Sequence, residues 1–458
     1  MLWRNSDNGA VSIVQSLDDD FDLHALHRQA PMRYPFLLQS TASETELGRF
    51  DILFACPGDA IVLSEIGQLE GAAEQRDFLA ALDEKWRIEA TCANDAALPF
   101  TGGWFLYLGY ELAAEIEPTL TAAADPVLPV AFAVRCKAAV IKDRLNGRQY
   151  LVQEHDAVLD TNELAGDIRE CMQTPAAAAE SPHDRPKPVE ESPAQFMDAV
   201  AKAKEYIAAG DIYQANLSRG WSASADDKLD TDRIYAALSN VNPAPFAGLV
   251  RWQDATIISS SPERLLAVRD GVVSTRPIAG TRPRSDDKAT DDSLSAELFS
   301  HPKEIAEHVM LIDLERNDLG RVCEPGSVEV DEMMVLESYA HVHHIVSNVR
   351  GVLRSDVTPG AAIRAVFPGG TITGCPKVRC MEIIHDLESG PRGAYTGSFG
   401  YLNRDGSLDL NILIRTMVVR DNTITFRAGS GIVADSEAHA ELAETRAKAK
   451  GLLRALST

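Results

Sequence analysis

Apolar residues recur at helical spacing after position 192. Phe196, Val200, Ala203 and Ile207 fall on one face, Ser192-Pro193 opens the run with Gln195 in the capping-box position, and Gly210 stops it. That spacing predicts a helix. Beyond it, short β-rich runs at 255–259, 328–330, 395–401, 408–419 and 423–428 alternate with helical patterns near 301–316, 359–367, 376–388 and 436–455. Asp270-Gly271, the 403–406 tetrapeptide and Asp421-Asn422 read as hairpin turns, so antiparallel pairing is expected rather than a βαβ relay. Residues up to about 170 mix strand patterns (34–38, 51–54, 131–140, 149–152) with helical ones (76–88, 162–172). The class is α+β. A proline-rich, apolar-poor stretch at 174–191 reads as a linker between an N-terminal region, 1–173, and a C-terminal region, 192–458, with both halves expected in one packed unit.

Composition narrows the partners. With 68 acidic against 44 basic residues and a formal charge of -24, a general nucleic-acid or anionic-membrane binder is disfavoured, while a small anion held in a local pocket is allowed. Seven scattered cysteines, never in C-x-x-C, fit neither a disulfide framework nor a zinc site. The first residues lack the apolar run of a signal peptide, so a cytoplasmic protein is expected.

Candidate chemistry begins at 274–284, where Arg276, Arg282 and Arg284 surround a Pro-Ile-Ala-Gly-Thr core that could approach a small anion through Gly280 and Thr281. Glu304 and Glu307 share one helix face, as do Glu441 and Glu444. Solvated surface faces are the plain reading, with Glu444 and Lys448 a good i, i+4 pair. If the two helices meet, four carboxylates would make a hard-oxygen site for Mg2+. The segment 369–377 fails the phosphate-loop pattern and leaves a glycine turn feeding a helix. Gly429 and Gly431 could let amides approach a carboxylate or could mark a bend. Arg415 interrupts a strongly apolar strand and needs an anion or a route to water. His341 and His343 fall on one strand face and His344 on the other, which suits a single acid/base histidine better than a metal. Glu263, after three serines and a proline, is placed where a partly buried carboxyl could act as an acid. The run 313–318 reads as a helix end with no chemistry.

Taken in order, SPERLL, RPIAGTRPR, KEIAEHVMLIDLERNDLGRV, FPGGTITGCPKVRCMEII, GSFGYL, LIRT, AGSGIVADS and ELAETRAKA resemble the chorismate-utilising enzymes over nearly all of 192–458, with YPFLLQS and GGWFLYLGYE as looser matches before it. The resemblance implies two antiparallel sheets packed face to face with helices outside. It makes Glu307 and Glu444 the Mg2+ ligands with Glu304 and Glu441 nearby, and gives the ring carboxylate of chorismate to the metal. Arg415, Tyr395 and the amides around Gly429 and Gly431 would hold the enolpyruvyl carboxylate. Gly280, Thr281 and Lys448 would orient the substrate, and Glu263, with His344 beside it, would protonate the departing ring hydroxyl. Gln214 stands where water-using relatives carry lysine, which implies ammonia as nucleophile and a glutamine amidotransferase subunit (component II) as its source. FPGGTITGCPK and DLNILIRT look like aminodeoxychorismate synthase component I, which makes 4-amino-4-deoxychorismate for 4-aminobenzoate and folate. Ala279, where many such enzymes carry lysine, looks like anthranilate synthase component I, the alternative. A non-catalytic chorismate-binding subunit is a third reading, disfavoured because the acidic and anion-holding positions are all filled. Leu38 and Ser40, in L-L-Q-S, resemble a tryptophan-binding segment. The expectation from sequence is aminodeoxychorismate synthase component I.

Overall fold

The computed structural model describes residues 12–17, 20–42, 48–72, 77–91, 98–157, 160–173, 186–285, 287–300, 302–339 and 342–457. The side chains of Thr281, Pro283, Ser300, Pro302, Lys303 and Glu304 lie outside that description, as does His341.

Side-chain alternation builds the architecture. In the strand Phe36–Gln39, Phe36 points into a core with Phe105, Phe132, Ile257 and Phe399, while Leu37 joins Leu26, Leu164, Leu238 and Leu452 beneath an outer helical layer. In Gly103–Leu108, Phe105 and Tyr107 enter that same inner core, and Trp104, Leu106 and Leu108 pack outward with Phe78, Leu82 and Ile363 from two other helices. The order through the molecule is therefore helix, sheet, sheet, helix. All strand pairings are antiparallel, and hydrogen bonds run through 21 strands among the described residues, so the two layers are continuous at their edges. Stacked rings fill the space between them, Phe36 on Phe105 at 4.2 Å and Phe132 on Trp252 at 3.9 Å between centroids. Each such pair is worth about 0.5–1.5 kcal/mol beyond its buried area.

The halves of the chain share these sheets. Phe36–Gln39 pairs with Phe246–Trp252 through Leu37 and Leu249, and Gly103–Leu108 pairs with Ser398–Asn403 through Phe105 and Tyr401. The helix Pro193–Ala209 forms between the expected punctuation: Ser192 accepts from the Gln195 amide, and Gly210 closes it in the left-handed conformation at φ 83°.

Four elements differ from the sequence reading. The apolar run at 408–419 splits into Leu408–Asn411 and Thr416–Arg420, with Arg415 between them at φ 53°. Tyr395 precedes the strand Ser398–Asn403 rather than opening it. Val189–Glu190, assigned to the linker, pairs with the strand Gln214–Ser224, where Glu190 reaches Arg219. The helix Pro302–Gly320 continues through 313–318 because Leu319 finds a buried place at its end and Asp318 an ion pair with Lys377. Among the described residues no helix is long and apolar enough to cross a membrane.

Candidate active site

Glu263 sits in the short link between the strands Ala255–Ser261 and Arg264–Arg269. The serines before it are structural, since Ser260 donates to the Asn242 carbonyl and Ser261 to that of Ile412, while Ser259 bonds Thr416. The Glu263 carboxyl accepts from the Thr371 hydroxyl at 2.8 Å and from the Ile278 amide. Burial nevertheless pushes it up to about 7, and the negative charge of Glu315 adds to the rise against the opposing pull of Thr371 and Arg415. A carboxyl so placed keeps its proton near neutrality.

Arg415 acts on it as a nearby charge, and His344 lies near Arg415. The Arg415 carbonyl accepts from the Ser260 amide at 3.1 Å, but its guanidinium has no hydrogen bond or ion pair among the described residues; burial lowers its pKa and Glu263 opposes that. A guanidinium held by a left-handed backbone turn and lacking its own carboxylate is a ready receptor for an anion. His344 lies on the strand Val342–Val352, where a ring N–H donates to the Gly280 carbonyl. Burial and the neighbouring Arg415 charge drive its pKa down to about 3, so the imidazole is neutral at any working pH. Gly280, at φ 66°, takes the irregular position where the strand Ile278–Pro283 slips register against Val342–Val352. The arginines around it do not form an anion pocket: Arg276 pairs with Glu332 and Glu337, Arg282 with Glu297 and Arg284 with Asp291.

A second group lies on the paired strands Gln214–Ser224 and Thr423–Ile432. Gly429 and Gly431 are extended strand residues and not a bend, and past Phe426 their strand pairs on one side only among the described residues. Their missing side chains make room for neighbours: a Cβ at Gly429 would lie 2.6 Å from Asn216 Oδ1 and 2.7 Å from the Tyr395 hydroxyl, and one at Gly431 would lie 2.5 Å from Gln214 Nε2. Gln214 Oε1 and Asn216 Oδ1 are both buried without a hydrogen-bond partner among the described residues. Arg392 stands behind Tyr395, its guanidinium bonded to the Ile372 and Asn216 carbonyls and paired with buried Glu388 at 2.6 Å. Asn216 also reaches the Thr371 carbonyl at 3.4 Å, so the turn Gly370–Ile372 joins this group to Glu263.

The expected metal ligands are less closely drawn together. Glu441 is buried, and its Oε2 has no hydrogen-bond partner among the described residues. Glu444 is half exposed and paired with Lys448 at 2.7 Å, the surface arrangement. Glu307 is partly buried on the helix Pro302–Gly320. Among the described residues no three metal-ligating side chains are gathered closely enough for an ion. Leu38 and Gln39 line a cleft of about 1260 Å3, apart from Glu263, that also takes in Phe50, Arg264, Phe399 and Asn411. Ser40 is satisfied internally, its amide by Asp51 and its hydroxyl by the Ala42 carbonyl.

Thr371, Asn216, Arg392 and Glu315 were missed by the sequence reading. Thr371 had a signal, a hydroxyl directly after Gly369-Gly370; the others are brought in by distant strand and helix packing.

Residues 35–454 match the family described as chorismate binding enzyme. The chain belongs to that family. It is 45% identical over 365 residues to an anthranilate synthase component I-like protein of Synechocystis sp., covering 78% of this chain and 73% of that one. It is 34% identical over 464 residues to anthranilate synthase component 1 of Acinetobacter calcoaceticus, covering 96% and 93%. The solved anthranilate synthase component I from Streptococcus pneumoniae superposes with a TM-score of 0.78 at 30% identity, over 90% of this chain and 93% of that one. These relatives overturn the expectation of an aminodeoxychorismate synthase. The two glycines of the motif that suggested it are packing requirements: a Cβ at Gly369 would meet Ile412 at 3.0 Å and one at Gly370 would meet Leu314 at 2.5 Å. Ala279, which carries no amine, was the residue to weigh more heavily.

Proposed function

We propose that the chain is component I of an anthranilate synthase, converting chorismate and ammonia to anthranilate, pyruvate and water. The observation that carries this reading is the buried carboxyl of Glu263, which burial pushes up to about 7, near a guanidinium, Arg415, that has no anion within ion-pair distance among the described residues. Chorismate brings two carboxylates and a poor leaving group, its ring hydroxyl. Arg415, with Tyr395 beside it, would receive the enolpyruvyl carboxylate, and Glu263 would give its proton to the departing hydroxyl as ammonia adds to the ring. Neutral His344, fixed by Gly280, orients the site without competing for that proton.

Ala279 supports direct use of ammonia, since it offers no amine to form an adduct with the ring. The orphaned oxygens of Gln214 and Asn216 are acceptors suited to the N–H groups of ammonia. Ammonia would come from a separate glutamine amidotransferase subunit. Mg2+ fits one feature of the acidic helices: the buried Glu441 Oε2 lacks a donor, which a cation would replace. Glu307, Glu441 and Glu444 would hold it with Glu304, and Glu444 would have to exchange Lys448 for the metal. Bound there, Mg2+ would neutralise the ring carboxylate of the substrate.

The test is product analysis. With chorismate, Mg2+ and ammonium, the purified chain should release anthranilate, read by fluorescence, and pyruvate in equal amounts. An aminated, non-aromatic product without pyruvate would overturn the proposal.

A further inference from the structure

The helix Pro302–Gly320 carries a carboxylate that neither substrate nor metal requires. Glu315 is buried, 5% exposed, and its carboxyl accepts from the Gly370 amide at the head of the turn Gly370–Ile372. The fit is close, because a Cβ on Gly370 would lie 3.2 Å from Glu315 Oε1. The next residue in that turn, Thr371, donates to Glu263 at 2.8 Å. On the far side Glu315 is backed by Asp318, which is 4% exposed and held by Lys377 at 2.5 Å; Lys377 in turn donates to the Val366 carbonyl at 3.0 Å. Four chain segments converge here, and none of these contacts reaches the surface pairs that ordinarily account for acidic helix residues.

We propose that Glu315 is a positioning residue for proton donation: through the Gly370–Ile372 turn it holds Thr371 against Glu263, and it sets a second buried carboxyl behind the donor across that turn. The inference rests on Glu263 being the proton donor. The charged groups facing Glu315 are Asp318 on its own helix, Lys377 at the start of the helix Lys377–Leu387, and across the turn Glu263 with Arg415 beyond it. Burial and the Asp318 charge both raise the Glu315 pKa, and Glu315 raises that of Glu263, so the two carboxyls resist ionising together. Burial pushes Glu315 up to about 7 as well, so it brings its charge to bear on Glu263 as pH rises towards the alkaline limb.

The sign of the effect follows. Glu263 acts protonated, so turnover falls as pH rises through its pKa; removing the Glu315 charge lowers that pKa and brings the fall to lower pH. The experiment measures kcat/KM for chorismate against pH at a fixed concentration of free ammonia, for the full chain, Glu315→Gln and Glu263→Gln. Glu315→Gln keeps an acceptor for the Gly370 amide. It is expected to move the alkaline limb down by about one pH unit, a loss of roughly tenfold above the limb, with KM at low pH unchanged. Should it fold poorly, Glu315→Met, an apolar side chain of similar length, takes its place with a smaller downward shift, since releasing Thr371 removes part of the pull that lowers the Glu263 pKa. An alkaline limb that stays where it is in a folded Glu315 variant overturns the proposal, whether or not the rate falls. Glu263→Gln separates the two readings: if it retains full turnover, the proton-donor assignment fails, and if it is inactive while Glu315→Gln titrates like the parent, only the positioning role fails.

Discussion

Arg415 shows how one side chain can be functional when its guanidinium has no ion-pair partner among the described residues. Of the arginines near the site, Arg276, Arg282, Arg284 and Arg392 each have a carboxylate within ion-pair distance, whereas Arg415 meets Glu263 only as a charge at a distance, and Glu263 keeps its proton. The unpaired guanidinium is therefore expected to be repaid by a substrate carboxylate. A hydrogen bond to a charged group is worth about 1.5–3 kcal/mol, so Arg415→Met should raise the chorismate KM roughly 10–100-fold. Because the Arg415 charge also pulls the Glu263 pKa down, the variant should carry its alkaline limb to higher pH than the parent. Steady-state kinetics across pH would check both, and an unchanged KM would remove Arg415 from the substrate site. The importance of this arginine was legible in the sequence from its apolar surroundings. Its left-handed backbone was not, because the hydrophobic pattern runs through 408–419 without a break and only the pairing of two separate strands creates one.

Elements were readable where their signals were local. Ser192, Pro193 and Gly210 delimit the helix Pro193–Ala209, and Asp270-Gly271 turns the hairpin of Arg264–Arg269 and Val272–Arg276, because capping and turn chemistry act within a few residues. The run containing Glu315 and Asp318 was misread for the same reason. Its Asp and Asn residues look like a cap, yet Lys377, from a distant helix, pairs with Asp318 and the helix continues. The strand pair Gln214–Ser224 with Thr423–Ile432 gives the element-scale prediction. A Cβ at Gly429 would sit 2.7 Å from the Leu217 carbonyl oxygen, which is backbone and cannot rotate away, as well as pressing on Asn216 and Tyr395. Gly429→Ala should therefore push the two strands apart, costing about 1–3 kcal/mol of stability by the overpacking argument and displacing Tyr395 from the substrate wall. A denaturant midpoint and a chorismate KM both equal to the parent's would show that the close approach has no such role.

At the scale of the molecule, the layered sheets bury carboxyls whose proton affinities pull in opposite directions. Burial pushes Glu263 up to about 7, and it pushes Glu111 up to about 7 as well although the Arg392 and Gly393 amides oppose the rise. Burial would also raise Glu388, but the guanidinium groups of Arg392 and Arg427 and the Ser218 amide outweigh it and hold that carboxyl below the usual range. A carboxyl whose pKa is raised on folding contributes its full stability below the unfolded value, about 4.3, and loses it as pH climbs towards 7. One whose pKa is depressed contributes above 4.3 and loses it as pH falls further. The two families together place the stability maximum on the acid side of neutrality, so the unfolding midpoint should rise from pH 8 to about 5.5 and fall below about 4. Glu388→Gln isolates the second arm. Breaking this buried pair should cost about 3–5 kcal/mol at pH 7, since Arg392 and Arg427 lose their carboxylate together. The difference from the parent should shrink as pH drops, because acid removes the same charge. Chemical denaturation at pH 7 and at successively lower pH, well below about 4.3, measures both terms, and a difference that stays constant throughout would mean that Glu388 stabilises by packing alone.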